Sequence, residues 1–476
     1  MNLRKEIDSL CDYLRGEPEY SDFNSCMARN NSVAAQRNLE EMLERFPHNF
    51  LLKLNYGYIL IKTGYPERAR DIFREIILNP SCPWDIEYLA ISNYMMACDY
   101  LGISNNARLD IRKYYPGSQG DCIQLSDSEK IIIGYITSDA FNHPVGRALA
   151  KVIENHDRDK FEINVFYSGE TLDNIAQNIL QNCDRMIYIG SNGQSGAMSS
   201  RDLYYKLREI HIEILIDCNG HTVGGARLPL FCKRPCLCNV TMFGYPNSTL
   251  LECFDMRISS EMVTGDRCRW YEPIYNNPYG YMPYFKSYDC KSAEFNCNEM
   301  IVIGCISPIA KISKSDIQYY DQLLQANERF QLVYARLGTQ YSNDKAQWIM
   351  NQHSDNVKNR IVILNLKNQP YLKVFEICDV VLDHVNWSNQ TLFQDATSCG
   401  VPFILSPKPG LLSSAMLSRD FAFQTGIKCN IEDYEHLDYY GANAFAIMDG
   451  FDNSKQWTHA FEEAMIDLYE RRLGEL

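Results

Sequence analysis

IIIGYITSDAFNHPVGRALAKVIE, residues 131–154, is the stretch on which the fold turns. Residues 131–137 are apolar and rich in β-branched side chains, the pattern of a strand buried on both faces of a parallel sheet. After them Val145, Leu149, Val152 and Ile153 recur at i, i+4, i+7 and i+8, one face of an amphipathic helix. Pro144 suits the first helical turn, where its missing N–H would have been unpaired anyway. His143 precedes that proline and is therefore steered to an extended conformation, outside the helix. Asn142 and His143 then fall at the carboxyl end of a strand, where open α/β sheets bind ligands. On the residues alone His143 is either a helix cap or an active-site imidazole.

Working outward, the same strand–helix alternation predicts strands at 162–167, 212–217 and 239–243. A Tyr- and Pro-rich, loop-like stretch over 271–298 separates them from a second set at 300–306, 330–337, 360–364, 379–385 and 401–405. Alternation twice over implies an α/β protein with two Rossmann-like, parallel-sheet domains facing a cleft, here 121–298 and 299–455. The amphipathic segment 457–473 reads as a closing helix within 456–476. Residues 1–120 read as helix after helix, and LKLNYGYILIKTGYPERARDIFREIILNP (52–80) places Gly57, Gly64, Ala69, Phe73 and Pro80 close to tetratricopeptide spacing. Such repeats need something to stack on. The region is thus either a short peptide-binding array or a helical cap on the next domain.

The chain has 476 residues, 46% of them apolar, and a net charge of −14. That acidity argues against a nucleic-acid binder, whose footprint would be a basic face, although single lysines and helix N-termini still hold phosphate locally. No run of 18 apolar residues predicts a membrane span. MNLRKEIDSLCDYLR carries charges where a signal peptide would be apolar, so the 18 cysteines are read as reduced thiols of a cytoplasmic protein. CKRPCLC (232–238) lacks the fourth ligand and the spacing of a zinc site, and no metal is expected there.

Five segments that follow predicted strands carry the polar chemistry: NHP (142–144), NGHTVGGAR (219–227), FGYPNST (243–249), SPIAKISKSD (307–316) and NWSNQTLFQD (386–395). In this order, with YMPYF (281–285), they resemble the catalytic region of the O-linked N-acetylglucosamine transferases over most of residues 130–470. The glycine turn has one residue inserted, and LDHVNWSNQTLFQDATSCGVP (382–402) is similar in length and frame to that family's donor loop. The resemblance implies a GT-B fold and an inverting, metal-independent glycosyltransferase. It would move N-acetylglucosamine or a hexose from a UDP-sugar to Ser or Thr of a protein acceptor, an adhesin or flagellin being the kind the family suggests. It implies no cofactor, the UDP-sugar being a substrate.

The same resemblance assigns roles. Lys311 takes the place of the family's phosphate-binding lysine, where a point cation can neutralise a departing diphosphate. Ser388, Asn389, Gln390 and Thr391 open a helix whose N–H groups could cradle that diphosphate. Asp395 matches the acidic residue that holds the ribose hydroxyls, and Tyr371 is the remaining candidate to stack on the uracil. His143 matches the family's active-site histidine, able to take the acceptor's proton or orient its hydroxyl. Asn142, Arg227, Tyr245, Pro246 and His221 fall on the acceptor or sugar side. The chain departs from the pattern at Gln390, where the family has histidine, and at Pro308, where it has glutamine. The Asn/Thr-rich WSNQT leans toward the related asparagine N-glucosyltransferases of adhesins, and the departures also leave open a non-catalytic, repeat-containing binding protein.

Overall fold

The computed structural model describes residues 22–23, 25–26, 31–115, 125–190, 197–222, 227–265, 270–290, 300–336, 343–366, 370–427 and 431–475. The chain divides into two compact units, one from residues 1–101 and 293–386, the other from 102–292 and 387–476.

Among the described residues from 31 onward, the first unit runs through α1 (Ser32–Arg45), α2 (Phe50–Lys62), α3 (Pro66–Ile77) and α4 (Trp84–Tyr100). Asn31 and Asn49 cap the first two, each side chain accepting an N–H of the first turn, and Pro66 opens the third. Each helix packs on the next. A Cβ at Gly57 would lie 2.5 Å from the Phe73 ring, so this pair of motif residues marks where α2 and α3 approach most closely.

In the second unit, β1 (Ile131–Thr137), α5 (Pro144–Asn155), β2 (Phe161–Tyr167), α6 (Asn174–Asn182) and β3 (Arg185–Tyr188) wind to one side. After α7 (Ser200–Glu209), the strands β4 (Ile214–Asp217), β5 (Cys238–Thr241), β6 (Met256–Ser259) and β7 (Ile274–Asn276) continue to the other, with the short α8 (Leu228–Cys232) and α9 (Glu261–Thr264) between them. The order is β3–β2–β1–β4–β5–β6–β7, and every pairing is parallel. The winding reverses between β1 and β4, so the loops after these two strands flank a switch point of the kind that binds ligands.

The first unit carries the other sheet, from β8 (Ile301–Cys305), α10 (Lys314–Ala326), β9 (Phe330–Arg336), α11 (Asn343–Gln352), β10 (Ile361–Asn365) and β11 (Val380–Leu382). They run β10–β9–β8–β11, again parallel, and the reversal lies between β8 and β11. The chain then returns to the second unit through α12 (Gln390–Ser398), β12 (Phe403–Ile404), α13 (Leu417–Thr425), α14 (Leu437–Gly450) and α15 (Ser454–Leu473). The closing helix expected from periodicity is α15, and it packs against α5. Trp457 is fully buried there, stacked 5.5 Å from Phe461, and its indole N–H donates to the Gly280 carbonyl at 2.9 Å.

Three strands escaped the sequence pattern. β3 (RMIY) and β6 (MRIS) each hold an arginine within four residues and form no continuous apolar run, and β7 lies inside the 271–298 stretch read as loop. The reading of all thiols as reduced also needs correction. Cys290 and Cys399, with Cα atoms 5.1 Å apart, are paired as a disulfide.

The turn between β1 and α5 is tight. A Cβ on Gly146 would sit 2.0 Å from the Phe141 carbonyl oxygen and 2.3 Å from that of Asp139. Gly146→Ala is therefore expected to displace residues 139–141 and cost about 1–3 kcal/mol, lowering the melting temperature. Gly450→Ala, which meets nothing within 4 Å, should not. Equal thermal midpoints for the two variants would contradict this account.

Candidate active site

The polar residues at the β1/β4 switch point are held by one amide. Asn219 accepts the Ser138 N–H at 2.9 Å and donates to the Ser138 hydroxyl and to Asp139 Oδ2, both at 2.9 Å. Its own turn is fixed by buried Asp217, which accepts the N–H groups of Asn219 and Gly220 and the Thr241 hydroxyl. Burial pushes the Asp217 carboxyl up, and those hydrogen bonds oppose it. Asp139 and Asn219 are central to the site, yet sequence reading singled out neither. Their signal lay in their place directly after two adjacent predicted strands.

His143 is extended and caps α5: its Nδ1 accepts the Val145 N–H at 3.3 Å. The cap and the active-site candidate are thus one residue, about two-fifths exposed. Asp139 Oδ2 lies 3.9 Å from the same Nδ1, beyond hydrogen-bond reach. A neutral ring whose Nδ1 accepts carries its proton on Nε2. Asn142 is exposed, its N–H bound to Asp173 at 2.7 Å.

The remaining acceptor-side candidates are structural in their contacts. His221 is fully buried and donates from Nε2 to the Thr249 carbonyl at 2.8 Å, and burial drives its pKa down to about 4. Its ring meets Tyr245 edge-on at 5.1 Å, and Tyr245 and Pro246 are buried beside it. Arg227 donates to the carbonyls of Met198 and Gly190, both at 3.0 Å, clasping a loop, and burial lowers its pKa to about 10. Residues 223–226 of the NGHTVGGAR segment, and 367–369 of the segment holding Tyr371, lie outside the described residues. Below Tyr245, Glu272 accepts from the Ser248 hydroxyl and from the N–H and hydroxyl of Thr249, all at 2.6 Å, and pairs with Arg257 at 3.3 Å. Burial alone would raise its pKa, but Arg257 and these donors hold it below the usual value.

The helix α12 brings the donor-side candidates into the same unit as His143. Ser388 is used by the fold: its hydroxyl donates to the Ser414 carbonyl at 2.9 Å and accepts the Ser418 N–H at 3.0 Å. Asn389 is the N-cap residue of α12 and is buried, and Thr391 in the first turn is half-buried. Gln390 donates to the Tyr284 hydroxyl at 2.5 Å, and that hydroxyl donates to Asp420 at 2.5 Å. A chain of buried groups thus occupies the position where the family has histidine. Asp395 is paired with Arg147, whose Nη2 lies 3.0 and 3.2 Å from its two carboxylate oxygens. Neither Arg147 nor Tyr284 was among the sequence candidates.

Lys311 and Tyr371 belong to the other unit. Lys311 ends the short 3-10 turn Ile309–Lys311 after β8, which lies against α2. At the β8/β11 switch point Asp316, capping α10 with Ser313, also accepts the Val385 N–H at 2.7 Å, which ties the lysine's loop to the loop after β11. Burial lowers the Lys311 pKa to about 8, against the pull of Asp383. Tyr371 packs its ring edge-on against Phe375 at 5.5 Å. No group of three or more His, Cys, Asp or Glu side chains among the described residues could hold a metal ion. No described helix is long and apolar enough to cross a membrane.

Residues 118–287 match the sequence profile of glycosyl transferase family 41. A Petunia hybrida protein described as "Probable UDP-N-acetylglucosamine--peptide N-acetylglucosaminyltransferase SPINDLY" is 23% identical over 284 residues, 58% of this chain and 30% of that protein. An Arabidopsis thaliana protein named likewise, with SEC in place of SPINDLY, is 28% identical over 158 residues, 33% of this chain and 15% of that one. The chain spans less than a third of the length of these relatives. A solved structure, a mutant of the Thermobaculum terrenum O-GlcNAc transferase, aligns with a TM-score of 0.80 at 19% identity, covering 93% of this chain and 88% of that chain. That likeness and the two parallel sheets bear out the GT-B-type fold expected from the sequence.

The cap geometry of His143 has a direct readout. In the free protein at neutral pH, nitrogen-15 shifts of labelled histidine should show His143 as the Nε2–H tautomer. An Nδ1–H ring would mean that Asp139, not the Val145 N–H, sets its proton.

Proposed function

We propose that this chain, which carries a glycosyl transferase family 41 domain over residues 118–287, is a glycosyltransferase that takes a UDP-sugar and glycosylates a protein acceptor on Ser or Thr. The observation that carries the reading is Lys311. A cation at the switch point of a parallel sheet, desolvated until its pKa falls to about 8, is still mostly protonated at neutral pH and able to meet an anion there. A diphosphate supplies that anion, and as the bond from sugar C1 to the β-phosphate breaks, the lysine meets the charge that grows on the leaving oxygen. On this reading no metal is required and no cofactor takes part. By the resemblance, Asp395 is the candidate for the ribose and Tyr371 the candidate for the base.

His143, with Nδ1 committed to the helix cap, orients the acceptor through Nε2–H rather than removing its proton. Attack by the acceptor hydroxyl from the face opposite the leaving UDP inverts the anomeric carbon: the new C1–O bond forms as the bond from C1 to the β-phosphate oxygen breaks, and the hydroxyl's proton passes to a phosphate oxygen of the departing UDP. The compartment that fits is the cytosol, where nucleotide sugars serve as donors and most described cysteines would stay free. A second reading has its own observation. Gln390 is locked to Tyr284 where the family has histidine, which favours a pocket that binds the donor without transferring it.

Titration calorimetry with UDP-N-acetylglucosamine tests the donor half. Affinity should fall about twofold between pH 7 and 8 and about tenfold by pH 9 as Lys311 loses its proton, because only the ammonium form attracts the diphosphate. Lys311→Ala should bind about 10- to 100-fold more weakly and lose this pH dependence. Identical binding by wild type and Lys311→Ala would refute the donor assignment. Transfer is read by sugar-retaining fragmentation of candidate acceptors, with chelator present throughout. Sugar on asparagine would replace the Ser/Thr assignment, and tight donor binding with no transfer would favour the second reading.

A further inference from the structure

We propose that Arg147 is a positioning residue for the donor: from the first turn of α5 it holds the Asp395 carboxylate in α12 in the orientation that receives the two ribose hydroxyls. The inference rests on the functional reading above. Arg147 follows His143 by one helical turn, and its N–H donates to the His143 carbonyl at 2.9 Å. Its guanidinium is fixed from several sides. Nη2 contacts both oxygens of Asp395, and Nη1 donates to the Tyr288 hydroxyl at 2.8 Å and more weakly to Asn142 Oδ1 at 3.4 Å. The guanidinium carbon also lies 5.2 Å from the Tyr288 ring centroid.

The Arg147 and Asp395 side chains are only 10% and 5% exposed. Burying such a pair is expensive in desolvation, and a hydrophobic pair of similar size often stabilises a fold as well or better. Nor is the pair needed to dock α12. Gln394 does that by donating to the Phe285 carbonyl at 2.9 Å, and Ser398 by accepting the Ser287 N–H at 3.0 Å. What the ion pair adds is direction. An ionised carboxylate offers about four lone-pair sites. A single guanidinium nitrogen spanning both oxygens holds the carboxylate in one rotamer. Because Arg147 and the His143 cap share one helical turn, the same turn sets the donor's ribose and the acceptor-side imidazole.

The test compares UDP with 2′,3′-dideoxy-UDP by calorimetry on the full chain, in wild type, Arg147→Met, Arg147→Lys and Asp395→Asn. Wild type should prefer UDP by about tenfold or more, the value of hydrogen bonds to a charged group. Asp395→Asn and Arg147→Met should reduce that preference to about twofold or less, with dideoxy-UDP affinity unchanged, and Arg147→Lys should retain part of it. A salt bridge that merely braced the fold would weaken both ligands alike and lower the melting temperature. Full hydroxyl preference in Arg147→Met, or in Arg147→Lys if the Met variant does not fold, overturns the inference while leaving UDP binding intact. Wild type that binds no UDP removes the functional reading and this inference together.

Discussion

The contact that the second unit depends on is the one at Gly146, where the turn leaving β1 is pressed against the first turn of α5 with no room for a methyl group. That approach compels the chain to double back at residues 139–141. It brings the Asp139 carboxylate near the His143 ring, and it starts the helix at Pro144 rather than a turn later. Once the start of α5 is set, the register of the helix decides the rest. Val145, Leu149, Val152 and Ile153 are buried, and Arg147 projects from the same first turn toward α12. One steric constraint thus converts a strand end into two directed side chains.

Around this turn the structure uses polar residues lavishly as scaffolding. Asp217 organises the Asn219–Gly220 turn, Asn219 organises Ser138 and Asp139, and Glu272 with Arg257 organises residues 245–249. Each group is buried and hydrogen-bonded, the condition under which such groups are tolerated at all. His221 and Arg227 are absorbed into the same scaffold, and their depressed pKa values report burial rather than catalysis. A buried network fixes loops at the carboxyl ends of the strands without a large apolar core beneath them, which a ligand-binding edge cannot spare.

The parts of the fold legible in the sequence were those set by local periodicity. β1 and α5 follow from residues 131–154, β8 to β10 from apolar runs, and the α2–α3 packing from Gly57 and Phe73. What stayed hidden depends on neighbours distant in sequence. β3, β6 and β7 are short and gain their strand character from pairing with a sheet already formed. Arg147 carried no signal of its own because its partner lies 248 residues away. The Cys290–Cys399 pair, 109 residues apart, was hidden for the same reason. Of the candidate site, the motif positions placed Lys311 and His143 at strand ends correctly, but could not distinguish His221 and Ser388, whose polar atoms the fold consumes, from residues that face a ligand.

The two cations singled out, Lys311 and Arg147, differ in a way that their chemistry explains. An ammonium is a compact, strongly hydrated charge whose pKa yields when water is removed, and burial has taken Lys311 down to about 8. Its pKa is therefore responsive: it rises when an anion binds and relaxes when the anion departs, the group staying mostly protonated at neutral pH. A guanidinium cannot surrender its proton in this range, and Asp395 supplies Arg147 with a permanent counter-charge. Exchanging the two would fail on both counts. An arginine at 311 would demand an anion even in the empty protein. A lysine at 147 would offer a point charge where a planar group must span two carboxylate oxygens and a tyrosine hydroxyl at once. The responsive cation thus suits the part of a reaction in which charge develops, and the fixed one the part in which only geometry must be kept.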